Sequence, residues 1–254
     1  MSQCKATKYP MDPKDQLNKD ELGTPVDSTR YKSMVGGLRY LVHTRPDIAY
    51  GVGMVSRFME RPTERHQNTV KRVLRYIKGT LEYGLVYTKD GGNNELTSFS
   101  DSDLGGHLDD RKSTGGVVFY LNESIITWVS QKQRCVALSS CEAEFMAANA
   151  TACQETWLRN VLSQVLRVKM SLVVLYVDNK SAIDLSKNPV FYGRSKHIDI
   201  RYHFIRDCVE KGEIIIKYVK GDIQRADILT KALTTVNFER VRQLMGVKKL
   251  SVSV

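Results

Sequence analysis

Val70, Val73, Leu74, Ile77 and Leu81 recur at the three-to-four spacing that gathers one face of an α-helix, and Lys71, Arg72, Arg75 and Lys78 fall on the other side. This period predicts a helix over 63–79. Its segment 61–78 is strongly basic, with six Lys or Arg against the single acid Glu64. Two earlier stretches, 28–43 and 47–60, also read as helices. Pro46 stands near the first turn of the second, where its missing N–H breaks no bond, and Pro62-Thr63 restarts the chain. Residues 1–27 are polar, carry Pro10, Pro13 and Pro25, and show neither period, so an extended lead segment is expected.

After Gly91-Gly92-Asn93-Asn94 the texture changes from helical to strand-like. Strands are expected at 95–100, 115–121 and 124–129, joined by short turns, and a long helix over 139–166. The apolar run LVVLYV follows as a buried strand at 172–177. A helix at 179–187, another at 198–211, the strand EIIIKYV and helices near 225 and 236 complete the pattern. Hairpin-linked strands followed by alternating helix and strand imply an α/β chain with a mixed five-stranded sheet flanked by helices. We divide it into a small helical segment (1–94), the sheet domain (95–234) and a C-terminal helix and tail (235–254).

Composition adds one clue about partners. The apolar and charged fractions are ordinary, but Lys and Arg exceed Asp and Glu by 10, which favours a polyanion such as nucleic acid. Five cysteines form an odd set without a C-x-x-C pair, so neither a disulfide framework nor a zinc site is suggested, and reduced, buried thiols are expected. With no apolar leader and no run long enough to span a bilayer, the expectation is an intracellular protein with no membrane partner.

Acids at the carboxyl ends of strands in an α/β sheet stand where ligands bind. Asp101 ends LTSFSD, Asp178 ends LVVLYVD, Asp227 sits at a helix start just past EIIIKYV, and Glu144 lies one to two turns into the long helix. Taken singly, a strand-end Asp is more often a helix cap or turn former. Four together repel one another unless cations neutralise them, and oxygen ligands of this kind suit Mg²⁺ or Mn²⁺. Asp103 is a rival for Asp101, and Glu142 for Glu144; positions two apart on a helix point about 200° apart, so only one of the latter pair can face the site.

YKSMVGGLRYLVHTRPDIAYGVGMVSRF and KRVLRYIKGT, within 31–79, resemble the end of the reverse transcriptase in copia-type (Ty1/copia) plant retrotransposon Pol polyproteins. SDSDLGGHLDDRKSTGG, SSCEAEF, YVDNKSAI, SKHIDIRYHFIRD and ADILTKAL, within 95–234, resemble the ribonuclease H of the same family. The resemblance implies a ribonuclease H-like fold and places the four family acids on Asp101, Glu144, Asp178 and Asp227, selecting Asp101 over Asp103 and Glu144 over Glu142. It also implies two bound Mg²⁺ or Mn²⁺ ions about 3.5–4 Å apart. Asp101 would bridge both, Glu144 and Asp178 would complete the ion at the leaving group, and Asp227 the one that activates water. The substrate would be the RNA strand of an RNA–DNA hybrid, and the products would carry 5′-phosphate and 3′-hydroxyl ends.

Relative to the family the chain is a fragment, and the remainder of a reverse transcriptase is a conceivable partner; the oligomeric state stays open. Tyr176-Val177-Asp178-Asn179 superficially resembles a polymerase Y-x-D-D turn, but it lacks the second Asp and nothing upstream supplies a palm. The bases Lys71, Arg72, Arg75, Lys78, Lys132 and Lys196, with Arg134, are candidates for holding nucleic acid, against the plainer reading of solvated side chains. His197 and Asp199 match a copia-type string, yet a helix N-terminus explains them equally. Trp128 and Trp157 read as core. The loop 221–226 lacks the histidine that cellular ribonucleases H usually carry there, which implies slow product release. Two other functional readings compete: a catalytically idle nucleic-acid-binding remnant or host-adopted fragment, favoured by the missing polymerase core, and a transposase or integrase of the same fold, weakened by the position of the helical glutamate.

Overall fold

Helix signals near the N-terminus are local and are met locally in the computed structural model, which describes residues 3–87, 93–170, 172–187 and 196–250, with the backbone alone for 196–202. Asp27 caps helix α1 (Ser28–Leu41) by accepting from the Thr29 and Arg30 amides. Pro46 opens a 3-10 turn that leads into α2 (Ala49–Val55). Helix α3 (Glu64–Gly79) starts in a capping box, in which the His66 ring accepts from the Thr63 amide. Before α1 the chain from residue 3 forms no helix or strand beyond one bridge between Pro25 and Thr63, as the aperiodic sequence implies.

Strand β1 (Tyr83–Leu85) has no counterpart in the sequence reading, because its three residues are too few to show alternation. The next elements follow the expected order: β2 (Leu96–Ser102), β3 (Thr114–Leu121), β4 (Ser124–Lys132), α4 (Ser140–Leu166), β5 (Val173–Val177), α5 (Lys180–Lys187), α6 (Lys196–Glu210) and β6 (Ile214–Tyr218). Beyond β6 the helix expected near 225 is replaced by two single 3-10 turns, Gly221–Ile223 and Asp227–Leu229, and α7 (Thr235–Leu244) follows. Strand β7 (Val247–Lys249) closes the described chain and pairs antiparallel with β1, tying residues 83–85 to 247–249.

The main sheet has the order β4-β3-β2-β5-β6. Its first three strands are antiparallel neighbours; β5 and β6 run parallel to β2, reached through helical crossovers. This is the mixed five-stranded, ribonuclease H-like sheet that the motifs imply. Helix α4 covers one face, burying Phe145, Ala148 and Ala152 against Leu175, Val177 and Ile216, and Leu158 against Leu96, Val117 and Phe119. On the opposite face Phe99, Val118, Tyr120 and Ile125 share one cluster with Val35, Val52, Val55, Val70 and Tyr76 from the helical segment, and with Leu229, Phe238 and Val241. Apolar packing is thus continuous across residue 94, and each such side chain removed from water contributes roughly 1.5–3 kcal/mol.

Two expectations about buried residues are overturned. Trp157 is 60% exposed, because it lies on the stripe of α4 with exposed Ala150, Cys153 and Asn160, opposite the face that buries Glu155 and Leu158. Of the five cysteines, none of which is in a disulfide, only Cys208 is buried and Cys153 is exposed. Trp128 is half-buried, and its indole N–H donates to the Val42 carbonyl at 3.1 Å.

Candidate active site

Local chemistry aims each of the four acids. Asp101 is the sixth residue of β2, opposite Gly116 of β3, and is 1% exposed. Gly116 is required here: a Cβ would come within 2.7 Å of the Thr230 methyl and 2.8 Å of the Leu229 Cβ. The bare backbone lets the 226–230 segment lie directly on β3 beside Asp101. Helix α4 is set by Ser139, whose hydroxyl accepts from the Glu142 amide, while the Glu142 carboxylate accepts from the Leu138 amide at 2.8 Å. Glu142 is thereby used as a cap. Glu144, two residues on, turns inward and is buried. Asn179, not Asp178, caps α5, accepting from the Ala182 amide at 3.1 Å, so the plainer reading of Asp178 as an N-cap does not apply. Asp227 opens its 3-10 turn with its carboxylate 2.8 Å from Lys231 Nζ.

The strands and α4 bring Asp101, Glu144 and Asp178 together, with one carboxylate oxygen from each lying within 4.8 Å of the others. Asp227 joins through Lys231, whose ammonium also stands 3.6 Å from Asp101, and through Thr230, whose hydroxyl donates to Asp101. Burial, with repulsion from Asp101 and Asp178, pushes Glu144 up to about 10. Burial and Asp101 push Asp227 up to about 7, and the same two causes raise Asp178. Although burial works against its charge, Asp101 and Asp227 hold the Lys231 ammonium above its ordinary value. Glu144 Oε2 and Asp178 Oδ1 are buried and make no hydrogen bond among the described residues. Carboxylates converging from four elements, with a buried oxygen of Glu144, Asp178 and Asp227 met by no hydrogen bond among the described residues, are the hard donor set that a small divalent cation takes, so the residues present fit Mg²⁺ or Mn²⁺.

The rival Asp103 points elsewhere. Its carboxylate accepts from the Thr114 amide at 2.5 Å, and burial raises it to about 6 against the pull of that amide and Arg57. The candidate nucleic-acid bases are less uniform than their sequence suggests. Lys71 is exposed, but Arg72 pairs with Asp12 at 3.2 Å and lies over the Tyr9 ring, Arg75 donates to the Lys5 carbonyl, and Lys78 to the Cys4 carbonyl. The lead segment thus lies along this face of α3. Lys132 pairs with Asp110 at 2.8 Å, and Arg134 is exposed. The side chains of Lys196, His197 and Asp199 lie outside the described residues.

Sequence reasoning missed four residues that shape the site. Lys231 and Thr230 stand in the ADILTKAL string, where the i to i+4 step from Asp227 to Lys231 was a usable signal. Gln224 is buried and donates to the Ser100 carbonyl at 2.9 Å, and its side chain offsets part of the upward shift that burial and Asp101 impose on Asp178. Gly116 stands in the STGG string, where no local pattern marks it as different from its neighbour Gly115.

No protein-family model matches the chain. It is 39% identical over 251 residues to the retrovirus-related Pol polyprotein from transposon RE1 of Arabidopsis thaliana, covering 98% of this chain and 17% of that protein. It is 42% identical over 217 residues to the corresponding polyprotein from transposon TNT 1-94 of Nicotiana tabacum, covering 85% of this chain and 16% of that one. The chain therefore spans about a sixth of the length of these relatives. Among solved structures, the ribonuclease H1 called LC11, isolated from compost, aligns with 54% of this chain and 93% of its own at 13% identity and a TM-score of 0.40. Over most of its length the chain is similar to a segment of the retrovirus-related Pol polyproteins of plant transposons.

Proposed function

We propose that the chain is a divalent-metal-dependent endonuclease that hydrolyses the RNA strand of RNA–DNA hybrids. The observation that carries this reading is the convergence of Asp101, Glu144 and Asp178 with unsatisfied buried oxygens, and of Asp227 beside them. These four residues would hold two Mg²⁺ or Mn²⁺ ions, which supply an activated water near neutral pH and stabilise the leaving oxygen. Thr230 fixes the direction of Asp101, Gln224 lies close enough to Asp178 to ease its charge, and Gly116 lets the Asp227 turn reach them.

Substrate handling follows from the surroundings. A groove between β4 and α4 has an apolar floor that includes Val117, Val129 and Met146 and carries Gln131, Lys132, Gln133, Arg134 and Asn149 among its polar lining, and Gln133 joins it to the site by donating to Ser102 and to the Ala143 carbonyl. Neutral amides flanked by bases suit a duplex read by its shape and sugar hydroxyls rather than its sequence. Lys132, Arg134 and the exposed Lys71 would meet phosphates there and on α3, with Lys196 as a further candidate. Residues 1–94 act as the end of a reverse transcriptase that packs against the nuclease, without polymerase chemistry of its own.

The test is a substrate panel in Mg²⁺: end-labelled RNA–DNA hybrid, duplex RNA, duplex DNA and single-stranded RNA. Selective cutting of the hybrid with 3′-hydroxyl ends is expected. Binding of every duplex with cleavage of none would return the chain to an idle nucleic-acid-binding remnant.

A further inference from the structure

Four acids meet in the site, yet the described side chains show only one cation within ion-pair distance of any of them: Lys231, 2.8 Å from Asp227 and 3.6 Å from Asp101. Its placement is uneven. Asp101 and Asp227 stand at ion-pair distance from the ammonium, and Thr230 of the same segment donates to Asp101, whereas Glu144 and Asp178 have no cation at that distance; Glu144 Oε2, Asp178 Oδ1 and Asp227 Oδ1 all make no hydrogen bond among the described residues. The side chain is also 44% exposed. A Lys stem of this exposure can leave its partners for solvent by rotating about its own bonds, without a backbone shift.

From this geometry, and resting on the metal-dependent reading above, we infer that Lys231 is an exchangeable internal cation. It compensates Asp101 and Asp227 when no divalent ion is bound and yields their oxygens when one binds. An ammonium and a divalent ion cannot share the same two carboxylates cheaply, because like charges a few ångströms apart in a half-buried site repel strongly. The i to i+4 spacing keeps Lys231 on the same segment as Asp227, so the counter-ion is always at hand when the metal leaves. Two effects follow: the metal-free fold is protected from its own acid cluster, and metal affinity is weaker than four carboxylates alone would give. The site would then load only where the divalent ion is plentiful or where the substrate's phosphates help to hold it.

The experiment uses the full chain stripped with EDTA and, as probes, Mg²⁺ and Mn²⁺ without nucleic acid. Amine acylation read by mass spectrometry should find Lys231 slow in EDTA and several-fold faster once the metal is added, with exposed Lys71 unchanged as the internal control. Calorimetry should show Mn²⁺ binding to Lys231→Met roughly 3- to 10-fold more tightly than to wild type, the size expected for loss of one competing ion pair. The same variant should melt lower than wild type in EDTA. Wild-type binding of Mn²⁺ with an unchanged Lys231 acylation rate would overturn the exchange while leaving the nuclease reading intact. Wild type that binds neither metal would remove both. Because the acylation arm uses wild type, it decides the matter even if Lys231→Met folds poorly.

Discussion

Among the described residues, the buried charge cluster around Asp47 and the one around Asp101 are built on opposite principles. In the helical segment Asp47 is 1% exposed and fully partnered: Arg45 grips it in a fork at 2.8 and 2.9 Å, and the Tyr76 hydroxyl donates to it at 2.5 Å. Arg45 goes on to the Thr80 carbonyl and hydroxyl, and Arg242 of α7 donates to the Tyr76 oxygen. In the sheet domain three buried or half-buried acids meet within 4.8 Å, and their nearby cation is the partly exposed Lys231. In the first cluster both oxygens of the Asp47 carboxylate are met, although Arg242 Nε makes no hydrogen bond among the described residues. The second leaves carboxylate oxygens unmet, at a cost in stability that has no structural return. A buried carboxylate whose oxygens are all met reads as architecture, and several unmet carboxylates converging on one point read as a site.

Neutralising one member of each cluster breaks this comparison most sharply. Arg45→Met leaves Asp47 buried beside Tyr76 without its ion pair, and should lower stability by ~3–5 kcal/mol, read by chemical denaturation. Asp178→Asn should behave in the opposite way. It removes a raised carboxylate from its neighbours, so the melting temperature in EDTA should hold or rise, while Mg²⁺-dependent cleavage of a hybrid falls at least ~10²-fold because a neutral amide is a poor ligand for a hard cation. A melting temperature that drops as far as that of Arg45→Met would place Asp178 with the structural cluster.

Glu155 lies between the two cases and sharpens the rule. It is fully buried in α4, is hydrogen-bonded by Ser98, and burial pushes it up to about 8 against the pull of Ser98 and Arg159. Its folded value lies above its unfolded one, so the folded chain retains the proton across that interval. Its contribution to stability is whole at acid pH and is lost as pH rises from the ordinary carboxylate range through about 8. Glu155→Gln cannot ionise and should show a shallower fall in melting temperature between about pH 4.5 and pH 8. Identical pH profiles for the two proteins would show that Glu155 is ionised in the fold.

The smallest effect concerns the basic face of α3. Replacing Lys71, Arg72, Arg75 and Lys78 by Gln should flatten the dependence of log K for hybrid binding on log salt by up to ~0.9 for each phosphate that these side chains neutralise in the wild type. Since Arg72, Arg75 and Lys78 hold the lead segment, the observed change should approach that of Lys71→Gln alone. A flattening of the full size expected when all four bases meet phosphates would show that the lead segment gives way to nucleic acid.

How much of this was legible in the sequence depended on whether the signal was local. Helices α1, α3 and α4 and the strands of the main sheet lie close to their expected positions, because capping residues and apolar periods act within a few residues. The four acids were nameable because each ends a strand or sits early in a helix, although the choices of Asp101 over Asp103 and of Glu144 over Glu142 leaned on the family resemblance. The β1–β7 pairing joins three-residue strands from distant parts of the chain and leaves no pattern. Trp157 looked like core because of its size and apolarity, whereas its place on the outer stripe of α4 decides its exposure. The role of Gly116 appears only when the 226–230 segment is laid over β3. The basic stripe of α3 was readable as a stripe, but its occupation by the lead segment was not, since aperiodic chain gives no indication of where it packs.

The most direct measurement of the central claim is cleavage of a labelled RNA–DNA hybrid by the purified chain in Mg²⁺, in EDTA, and by Asp101→Asn in Mg²⁺. The account predicts cutting of the RNA strand in the first case and loss of at least ~10²-fold in the other two. Undiminished cutting in EDTA, or by Asp101→Asn, would contradict it.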